Sequence, residues 1–406
     1  MKTTAKVATS TMALCLLCET SAFTAQNSIV YDAAARFART PSAVSGVGTR
    51  TVRAQVRMAV AIPSNVDTKS SESVVINTEG VQLSGLNGLA LKPKTFPTKR
   101  EVIDVIPKHC FVKDTVRSMK YAVLSVSLTL AIGTLAAVFL PLKLAMLPAW
   151  VAYAVVCGTV ATGAWVVAHE CGHGAFSNNK TLQDSVGFVL HSALLVPYFS
   201  WQRSHAVHHA NTNHMENGET HVPELISGKF GLPQQRKLFR KILGKKLGTV
   251  IFGIVSVFSH LVVGWPAYLL FGATGGPSRG MTSHFFPHPP FSTGEKTTDL
   301  YPGKWKQKVW LSDVGVAGAV VALAAWAAKS GGMRVAALYG GPLVVVNAWL
   351  VLITWLQHTE VDVPHFDAAN WSFIKGALHT VDRPYGRVLD WLHHRIGSTH
   401  VAHHVS

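Results

Sequence analysis

The chain has 406 residues, of which 48% are apolar and only 14% are charged, and 37 Lys and Arg against 21 Asp and Glu give a formal net charge of +16. This balance excludes a disordered chain and argues against an ordinary soluble domain. No zinc finger, RNP motif or basic zipper accompanies the positive charge, so we expect a membrane surface rather than nucleic acid as its partner. The five cysteines form no paired framework, and disulfides are not expected.

The first 60 residues have the composition of a two-part leader. Residues 1–22 combine a basic start, a short apolar core and the small residues Ser21 and Ala22, as secretory signal peptides do. Residues 23–60 are rich in arginine, with Asp32 as their one acid, which is typical of a transit peptide. This order predicts delivery to a plastid membrane. A single secretory signal, with the endoplasmic reticulum membrane as destination, is the alternative.

The folded part of the chain is predicted over residues 98–406. Residues 61–97 before it are polar and rich in Ser, Asn and Gly, which predicts a flexible linker. Four apolar segments in the folded part predict membrane-spanning helices in two hairpins, and therefore an all-α integral membrane protein. These segments are Tyr121–Leu140, Ala149–Ala168, Val314–Ala328 and Val335–Leu356.

Two further apolar stretches, Ser185–Phe199 and Thr249–Gly272, are predicted not to cross the membrane. The first is too short. The second lies between basic residues at Lys229–Lys246 and Lys304–Lys308, which favour the same membrane face. Both basic segments share a face only if Thr249–Gly272 is re-entrant or interfacial. Arg236–Leu247 mixes apolar and cationic residues as a membrane-surface helix does, with a solvated loop as the alternative.

Eight of the 20 histidines fall in three clusters. The clusters are His169 and His173, then His205, His208 and His209, then His400, His403 and His404. Because residues three and four apart share a helix face, each cluster can present its imidazoles to one point. Each cluster also follows an apolar segment, and four crossings put all three on the face that carries the basic residues.

Imidazole is a ligand suited to Fe, Zn, Cu and Ni. Eight imidazoles are too many for one four-coordinate zinc and suit two metals with open positions, so we expect a histidine-rich cap with two metals on one face. These histidines are the predicted metal ligands, and no catalytic residue beyond them is predicted. Glu170, Asn211, Asp362 and Asp382 are candidates to orient the rings through their second nitrogen.

Two other classes of function remain open at this point. His169-Glu170-x-x-His173 matches the pattern of zinc metalloproteases, in which Glu170 would be the general base. The other two clusters argue against a protease, because it needs one further ligand rather than six. A metal transporter is the second alternative, but transporters place ionisable residues inside their spans and these spans are almost free of charge.

With these motifs the chain resembles the membrane fatty acid desaturases, in particular the delta-12 and omega-3 acyl desaturases of plants and algae. The three histidine clusters match the boxes of that family in order and spacing. The flanking segments that also agree are Ile106–Phe111, His191–Tyr198, Ala210–Thr212, Leu356–Thr359, Gly376–Leu378 and Thr380–Arg383. The resemblance covers about Pro97 to Ser406, and the leader suggests a plastid-targeted algal form.

The resemblance implies two iron ions, O2 as co-substrate and a cis double bond introduced into a lipid-linked acyl chain. Delta-12 desaturation of 18:1 is the expected reaction, and an omega-3 desaturase, a hydroxylase or an acetylenase on the same site is the alternative. The eight box histidines carry over as iron ligands, with His358 as a ninth candidate. An acidic external donor, ferredoxin or a separate b-type cytochrome, would supply electrons. The family continues past the third box, so a chain ending at Ser406 is expected to be a fragment or a truncated product.

Overall fold

The computed structural model describes residues 76–77, 80–81, 96–223, 232–272, 275–292, 297–360 and 362–405. The predicted signal and transit segments lie outside the described residues and stay predictions. Within the predicted linker, Ile76–Asn77 (β1) pairs with Gly80–Val81 (β2) in a short antiparallel hairpin.

From Thr98 onward the described chain is helical, which confirms the predicted all-α class. A π-helical turn at Ala336–Gly340 joins α9 to α10. The α-helices are α1 Lys99–Val105, α2 Thr115–Phe139, α3 Leu147–His173, α4 Lys180–Ala193, α5 Tyr198–Ala210, α6 Leu232–Leu243, α7 Lys245–Phe271, α8 Trp305–Ser330, α9 Gly332–Val335, α10 Gly341–His358, α11 Phe373–Leu378, α12 Arg387–Leu392 and α13 His400–Val405.

Five helical segments among the described residues are long and apolar enough to cross a membrane. They are Thr115–Phe139, Leu144–His173, Lys245–Phe271, Trp305–Ser330 and Gly332–His358. Four of them correspond to the four predicted spans, and only Leu140 lies one residue past the end of its helix. The large apolar side chains exposed along α2 and α8 agree with helices that face lipid.

The fifth segment corrects one prediction. Thr249–Gly272 was expected to be re-entrant or interfacial, whereas the structure places it in α7, one continuous helix of 27 residues that contains Pro266. A continuous helix satisfies its own backbone hydrogen bonds, so this segment is not a re-entrant loop. An interfacial position stays compatible with the structure, because length and composition alone do not make a helix cross.

The predictions for the two neighbouring segments agree with the structure. Ser185–Phe199 is divided between α4 and α5, because the chain turns at Leu195, where φ is +57°. The basic stretch Arg236–Leu247 is helical but divided at Gly244 (φ +82°), so that it belongs partly to α6 and partly to the first turn of α7. Leu238 and Ile242 of α6 are exposed.

One end of the bundle gathers the chain segments that carry the histidine clusters. Helix α3 packs against α2, α4 and α10, and the C-terminal ends of α3 and α10 lie at this end. The N-terminal part of α8 joins them, since the backbone N–H of Phe199 in α5 donates to Oγ of Ser312 (2.9 Å). Beneath the histidines lies the main apolar core, in which Trp165, Trp265 and Leu350 are buried.

Candidate metal centre

The nine predicted histidines come together at this end of the bundle. Their positions follow from where the helices stop. Helix α3 ends immediately after His173, because Gly174 has a φ of +77° that terminates the helix. His205, His208 and His209 lie on the last two turns of α5, His358 is the final residue of α10, and α13 carries His400, His403 and His404.

Seven of these histidines form two compact groups, in each of which the ring nitrogens lie within 4.8 Å of one another. The first group is His169, His173, His205 and His403, and the second group is His208, His358 and His404. The first group reaches the protein surface, because His173 is exposed, whereas every member of the second group is buried. The structure thus divides the predicted ligands into two sites rather than one.

The Nε2 atoms of neighbouring rings face one another at short range. Nε2 of His169 lies 2.9 Å from Nε2 of His205 and 3.3 Å from Nε2 of His173. In the second group, the Nε2 atoms of His208 and His358 are 3.2 Å apart. Two nitrogens bound at right angles about 2.1 Å from one metal would be about 3 Å apart. The spacing therefore fits rings that share a metal ion.

Judged by their nearest Nε2 atoms, the remaining two histidines adjoin different groups, and the ring of His209 also stacks on that of His404 in the second group with centroids 4.0 Å apart. Nε2 of His209 lies 3.2 Å from Nε2 of His205 in the first group. Nε2 of His400 lies 3.1 Å from Nε2 of His404 in the second group. The nine predicted ligands therefore divide into five imidazoles around the first group and four around the second.

The imidazoles are held in the form that binds metal. Burial lowers the pKa of each histidine in the second and third clusters well below its ordinary value of 6.5, and the neighbouring histidines lower it further. Neutral imidazole is the ligating species, so these rings are ready to bind a divalent metal at neutral pH without losing a proton.

Two of the four predicted orienting residues contact a histidine cluster. Nδ1 of His169 donates to Oε1 of Glu170 (3.0 Å), which leaves Nε2 of His169 free to bind a metal. Oδ1 of Asp382 accepts the backbone N–H of Val401 (2.9 Å). Asp382 therefore acts on the backbone of α13 rather than on an imidazole ring.

The other two predicted orienting residues make no hydrogen bond to an imidazole within the described part of the chain, and their role stays a prediction. Nδ2 of Asn211 donates to the carbonyl O of Val207 (2.9 Å), so its amide completes the C-terminal turn of α5. Asp362 is exposed at a turn after α10. Sequence proximity to a cluster suggested both residues.

The sequence did not indicate Thr212, which holds a ring of another cluster. Oγ1 of Thr212 donates to the carbonyl O of His208 (2.9 Å), and the same oxygen lies 3.0 Å from Nδ1 of His404. Because its proton is already donated, the hydroxyl accepts from Nδ1 of His404 and leaves Nε2 of that ring free. The sequence signals were the position of Thr212 one turn after His208 and its place in Ala210–Thr212, which agrees with the family after the second box.

A buried polar cluster beside α5 was also missed. The hydroxyl of Tyr268 in α7 donates to the carboxylate of Glu219 (3.0 Å) and lies 2.7 Å from Oγ of Ser204. Ser204 in turn lies 2.8 Å from Nε2 of His284. Burial raises the pKa of Glu219 to about 8, although the nearby Arg279 opposes the shift. This cluster fastens the C-terminal end of α7 to the helix that carries the second histidine cluster.

A narrow cavity lies directly beneath both groups. Its volume is about 70 Å³, room for about five water-sized groups. Seven histidines, together with Thr354 and Gln357, form the end next to the histidine groups, whereas Trp165, Trp265 and Leu350 line the deeper part. The site can therefore present an apolar chain to two adjoining metal positions.

The chain matches one protein family and several known proteins. Residues 148–406 match the sequence model of the family described as fatty acid desaturase. The chain is 41% identical over 303 residues to the delta(12)-fatty-acid desaturase of Arabidopsis thaliana, covering 74% of this chain and 73% of that protein. It is 38% identical over 330 residues to the omega-6 fatty acid desaturase, endoplasmic reticulum isozyme 1, of Glycine max, covering 80% and 79%.

A third relative, the omega-6 fatty acid desaturase, endoplasmic reticulum, of Brassica juncea, is 39% identical over 311 residues, covering 76% of each chain. The match to the family model includes all three histidine clusters and His358. On the strength of this match and of the relatives' identity over about three quarters of its length, the chain belongs to the fatty acid desaturase family.

Proposed function

We propose that this protein is a delta-12 acyl-lipid desaturase, which introduces a cis double bond into an oleoyl chain of a membrane lipid. One observation carries the proposal: two groups of converging imidazoles lie directly above a narrow apolar cavity in a helical membrane protein. The relatives named delta(12) or omega-6 desaturase support the same reaction.

Iron is the proposed metal at both positions. The first ion would be held by His169, His173, His205 and His403 with His209 beside them. The second would be held by His208, His358, His404 and His400. Bound iron would supply the activation of O2 and the removal of two hydrogens. In the balanced reaction, the acyl chain loses two hydrogens, O2 gains them with two protons and two electrons, and two waters leave.

The residues of this chain orient the substrate and exclude water. An acyl chain offers no polar handle near the reacting carbons, so only the shape of the cavity can hold one pair of methylenes beneath the metals. Trp165 of α3 and Trp265 of α7 stand with ring centroids 5.8 Å apart in the deeper part of the cavity. These two buried rings keep the deep part apolar and water-excluding.

The depth of the cavity supports the delta-12 position over omega-3. Thr162 and Leu350 line the end of the cavity farthest from the histidines, which we call its floor. Thr162 lies seven residues before His169 on α3, and Leu350 lies eight before His358 on α10. At about 1.5 Å per residue, the floor is about 10–12 Å below the histidines. An extended chain advances about 1.2 Å per bond, by analogy with an extended polypeptide. The six carbons beyond C12 of an oleoyl chain suit this depth better than the three carbons beyond C15.

Beyond this floor lies a second, larger apolar cavity of about 520 Å³. Ala161 and Val346 line it, one residue and one turn away from Thr162 and Leu350. The two cavities are thus separated by a thin layer of side chains from α3 and α10. Leu350, which is 2% exposed, is the side chain of this layer that faces the substrate cavity.

An acidic one-electron donor protein is the proposed source of electrons. The first histidine group reaches the surface at His173, which gives a donor a short path to the metals. Lys304–Lys308, at the same end of the bundle, provides positive charge for electrostatic steering. Ferredoxin would serve this role in a plastid and a b-type cytochrome in the endoplasmic reticulum.

The plastid membrane is the proposed location, because the two-part leader supports it. Two of the relatives are named for the endoplasmic reticulum, which favours the alternative destination. A fluorescent protein fused behind residues 1–97 decides between them. Fluorescence on plastids supports the proposal, and a reticular pattern overturns it.

The metalloprotease alternative lacks support from the geometry. Its general base would be Glu170, but that carboxylate accepts the Nδ1 proton of His169 on the side away from the converging nitrogens. Replacing it in Glu170→Gln should weaken the orientation of one ring. In a zinc protease, the same change would abolish the reaction.

The test is expression in a host that lacks desaturases, with lipid analysis and iron content of the purified protein. The wild type should form 18:2 from 18:1. His208→Ala should lose desaturation and iron together, whereas the exposed His109→Ala should lose neither. Full activity with normal iron in His208→Ala would overturn the proposal, and new 18:3 from supplied 18:2 would support an omega-3 enzyme instead.

A further inference from the structure

We infer that His221, which lies outside the three histidine clusters, contributes a tenth imidazole to the metal centre as a ligand of the second metal. This inference rests on the proposed two-metal function. His221 follows the second cluster by twelve residues, with no helical spacing that would relate it to the boxes. The structure brings it to the second histidine group.

The side chain of His221 lines the substrate cavity, and one of its ring nitrogens has no hydrogen-bond partner among the described residues. It is 6% exposed and lines the cavity beneath the metal positions. Its Nδ1 atom is buried and has no hydrogen-bond partner among the described residues. A buried polar atom without a partner calls for an explanation, and an ion bound at the neighbouring histidine group would supply one.

The ring of His221 lies next to the second group, whose own rings are 4.6 to 5.1 Å apart. Its centroid is 5.1 Å from the ring of His358 and 6.2 Å from the ring of His208. Within the second group, the rings of His208 and His404 are also 5.1 Å apart. The distance from His221 to His358 therefore falls within the range of the group's own rings, and the distance to His208 is longer.

The backbone of His221 is held in an uncommon conformation. Its φ is +57°, a left-handed value that a histidine adopts at some energetic cost. The neighbouring segment maintains it, because Nε2 of His365 donates to the carbonyl O of His221 (3.0 Å). Met215 and Phe366 pair the same two segments through a backbone hydrogen bond of 2.9 Å. A strained backbone conformation that the surrounding structure holds in place is typical of functional sites.

The proposed ligand would also balance the two metal positions. Five of the predicted histidines surround the first group, whereas four surround the second. Adding His221 to the second group makes five and five. The second position is the fully buried one, where water is least available to fill a missing site in the coordination shell.

The alternative role is a stacking partner. The rings of His221 and His358 are nearly parallel, with an interplanar angle of 9°, so His221 could support His358 without binding metal. The two roles differ in one respect. A phenylalanine ring can replace a stacked imidazole but cannot bind a metal ion.

The experiment measures metal binding by the purified full-length chain in detergent, independently of desaturation. The protein is stripped with a chelator and titrated with Co²⁺ in competition with that chelator. The variants are His221→Phe, His221→Cys and the control His260→Phe. His260 is a buried histidine of α7 that stacks on Trp355 (5.4 Å) and belongs to neither metal group.

We expect the wild type and His260→Phe to bind two ions. His221→Phe should bind the second ion at least about 10-fold more weakly, because even residues that only orient a ligand contribute about 10–100-fold to metal affinity. His221→Cys should show a thiolate-to-cobalt charge-transfer band that the wild type lacks, because its sulfur would replace the imidazole as ligand.

Two results would overturn the inference. One is wild-type affinity for both ions in His221→Phe, which would leave His221 a stacking residue and the proposed function intact. The other is the absence of a thiolate band in a His221→Cys protein that holds two Co²⁺ ions, which remains decisive if the phenylalanine variant fails to fold. A wild type that binds fewer than two ions would instead overturn the proposed function, and this inference with it.

Discussion

Oγ1 of Thr212 lies 3.0 Å from Nδ1 of His404. The hydroxyl of a residue just after the second histidine cluster therefore holds a ring of the third cluster. The same hydroxyl donates to the carbonyl O of His208 (2.9 Å). This arrangement fixes the tautomer of His404 and turns its Nε2 toward the second metal position. A contact of this kind fixes the ligand geometry before metal enters.

Replacing Thr212 by valine should therefore weaken metal binding. Thr212→Val keeps the shape of the side chain and removes the hydroxyl, so the tautomer of His404 is no longer fixed. We expect metal affinity at the second position to fall about 10–100-fold. Chelator competition on the purified protein measures this fall. Thr212→Ser, which keeps the hydroxyl, is the matched control, and equal affinities in the two variants would contradict the assignment.

Leu350 should set how far the acyl chain reaches below the metals. Leu350→Ala opens the floor toward the second cavity, so more carbons can lie beyond the reacting pair and the new double bond should move toward the carboxyl end or appear in longer chains. Leu350→Phe raises the floor and should reduce conversion of 18:1. Gas chromatography with mass spectrometry of derivatised products reads the bond position.

The matched control for Leu350→Ala is Val344→Ala, on the same helix but 41% exposed on its outer face. It removes methyl groups without opening the cavity. An unchanged bond position and chain-length range in both Leu350 variants would show that the floor lies elsewhere.

Glu219 should make the protein less stable as the pH rises. Burial raises its pKa from an ordinary value of 4.5 to about 8, so between these pH values the folded protein holds a proton that the unfolded chain has released. Stability therefore falls as pH rises through this window, by at most about 1.4 kcal/mol per pH unit. Glu219→Gln keeps an acceptor for the hydroxyl of Tyr268 and removes this titration.

Thermal unfolding in detergent between pH 5.5 and 8 tests the prediction. The unfolding temperature of Glu219→Gln should rise relative to that of the wild type as the pH rises. Glu216→Gln, in the same loop but exposed, should follow the wild type throughout. A constant difference between Glu219→Gln and the wild type across the range would mean that Glu219 does not titrate there.

Helix α7 should begin and end on the metal-bearing side of the membrane. The chain lies beside the second histidine group at His221 and returns to the same end of the bundle at Tyr268, which bonds to Glu219, so the number of crossings between them is even. Helix α6 lies in this interval and carries four cations in 12 residues, so it does not span. If α7 crossed the membrane, it would be the single crossing between His221 and Tyr268. An even number of crossings excludes this.

Labelling of single cysteines by a membrane-impermeant maleimide checks this topology in a background without the native cysteines. Lys246→Cys, at the start of α7, should react from the same side as Lys306→Cys, at the start of α8. Lys143→Cys, in the turn between α2 and α3, should react from the opposite side. Reaction of Lys246→Cys together with Lys143→Cys would make α7 a true span.

Local patterns in the sequence were sufficient where a feature lies within one helix. His169 and His173 are four residues apart on the last turn of α3, so their shared face follows from the helical repeat alone. The four predicted spans correspond to helices of 25 to 30 residues for the same reason. His358 was predicted from its place at the end of an apolar segment, and it lies in the second group.

Patterns failed where a contact joins distant parts of the chain. Thr212 and Glu219 have no spacing that marks them, because their partners His404 and Tyr268 come from helices that pack against theirs only in the folded chain.

The sequence by itself determined that this protein is an all-helical membrane protein with three sets of imidazoles on one face, because apolar length and helical periodicity act over a few turns. Tertiary structure decided the rest: how nine imidazoles divide between two positions, which hydroxyls and carboxylates orient them, and where the cavity ends. Those features depend on the packing of α3, α5, α7, α10 and α13 against one another. The positive charge and low charged fraction of the chain therefore report its membrane environment, whereas the metal centre is a product of its folding.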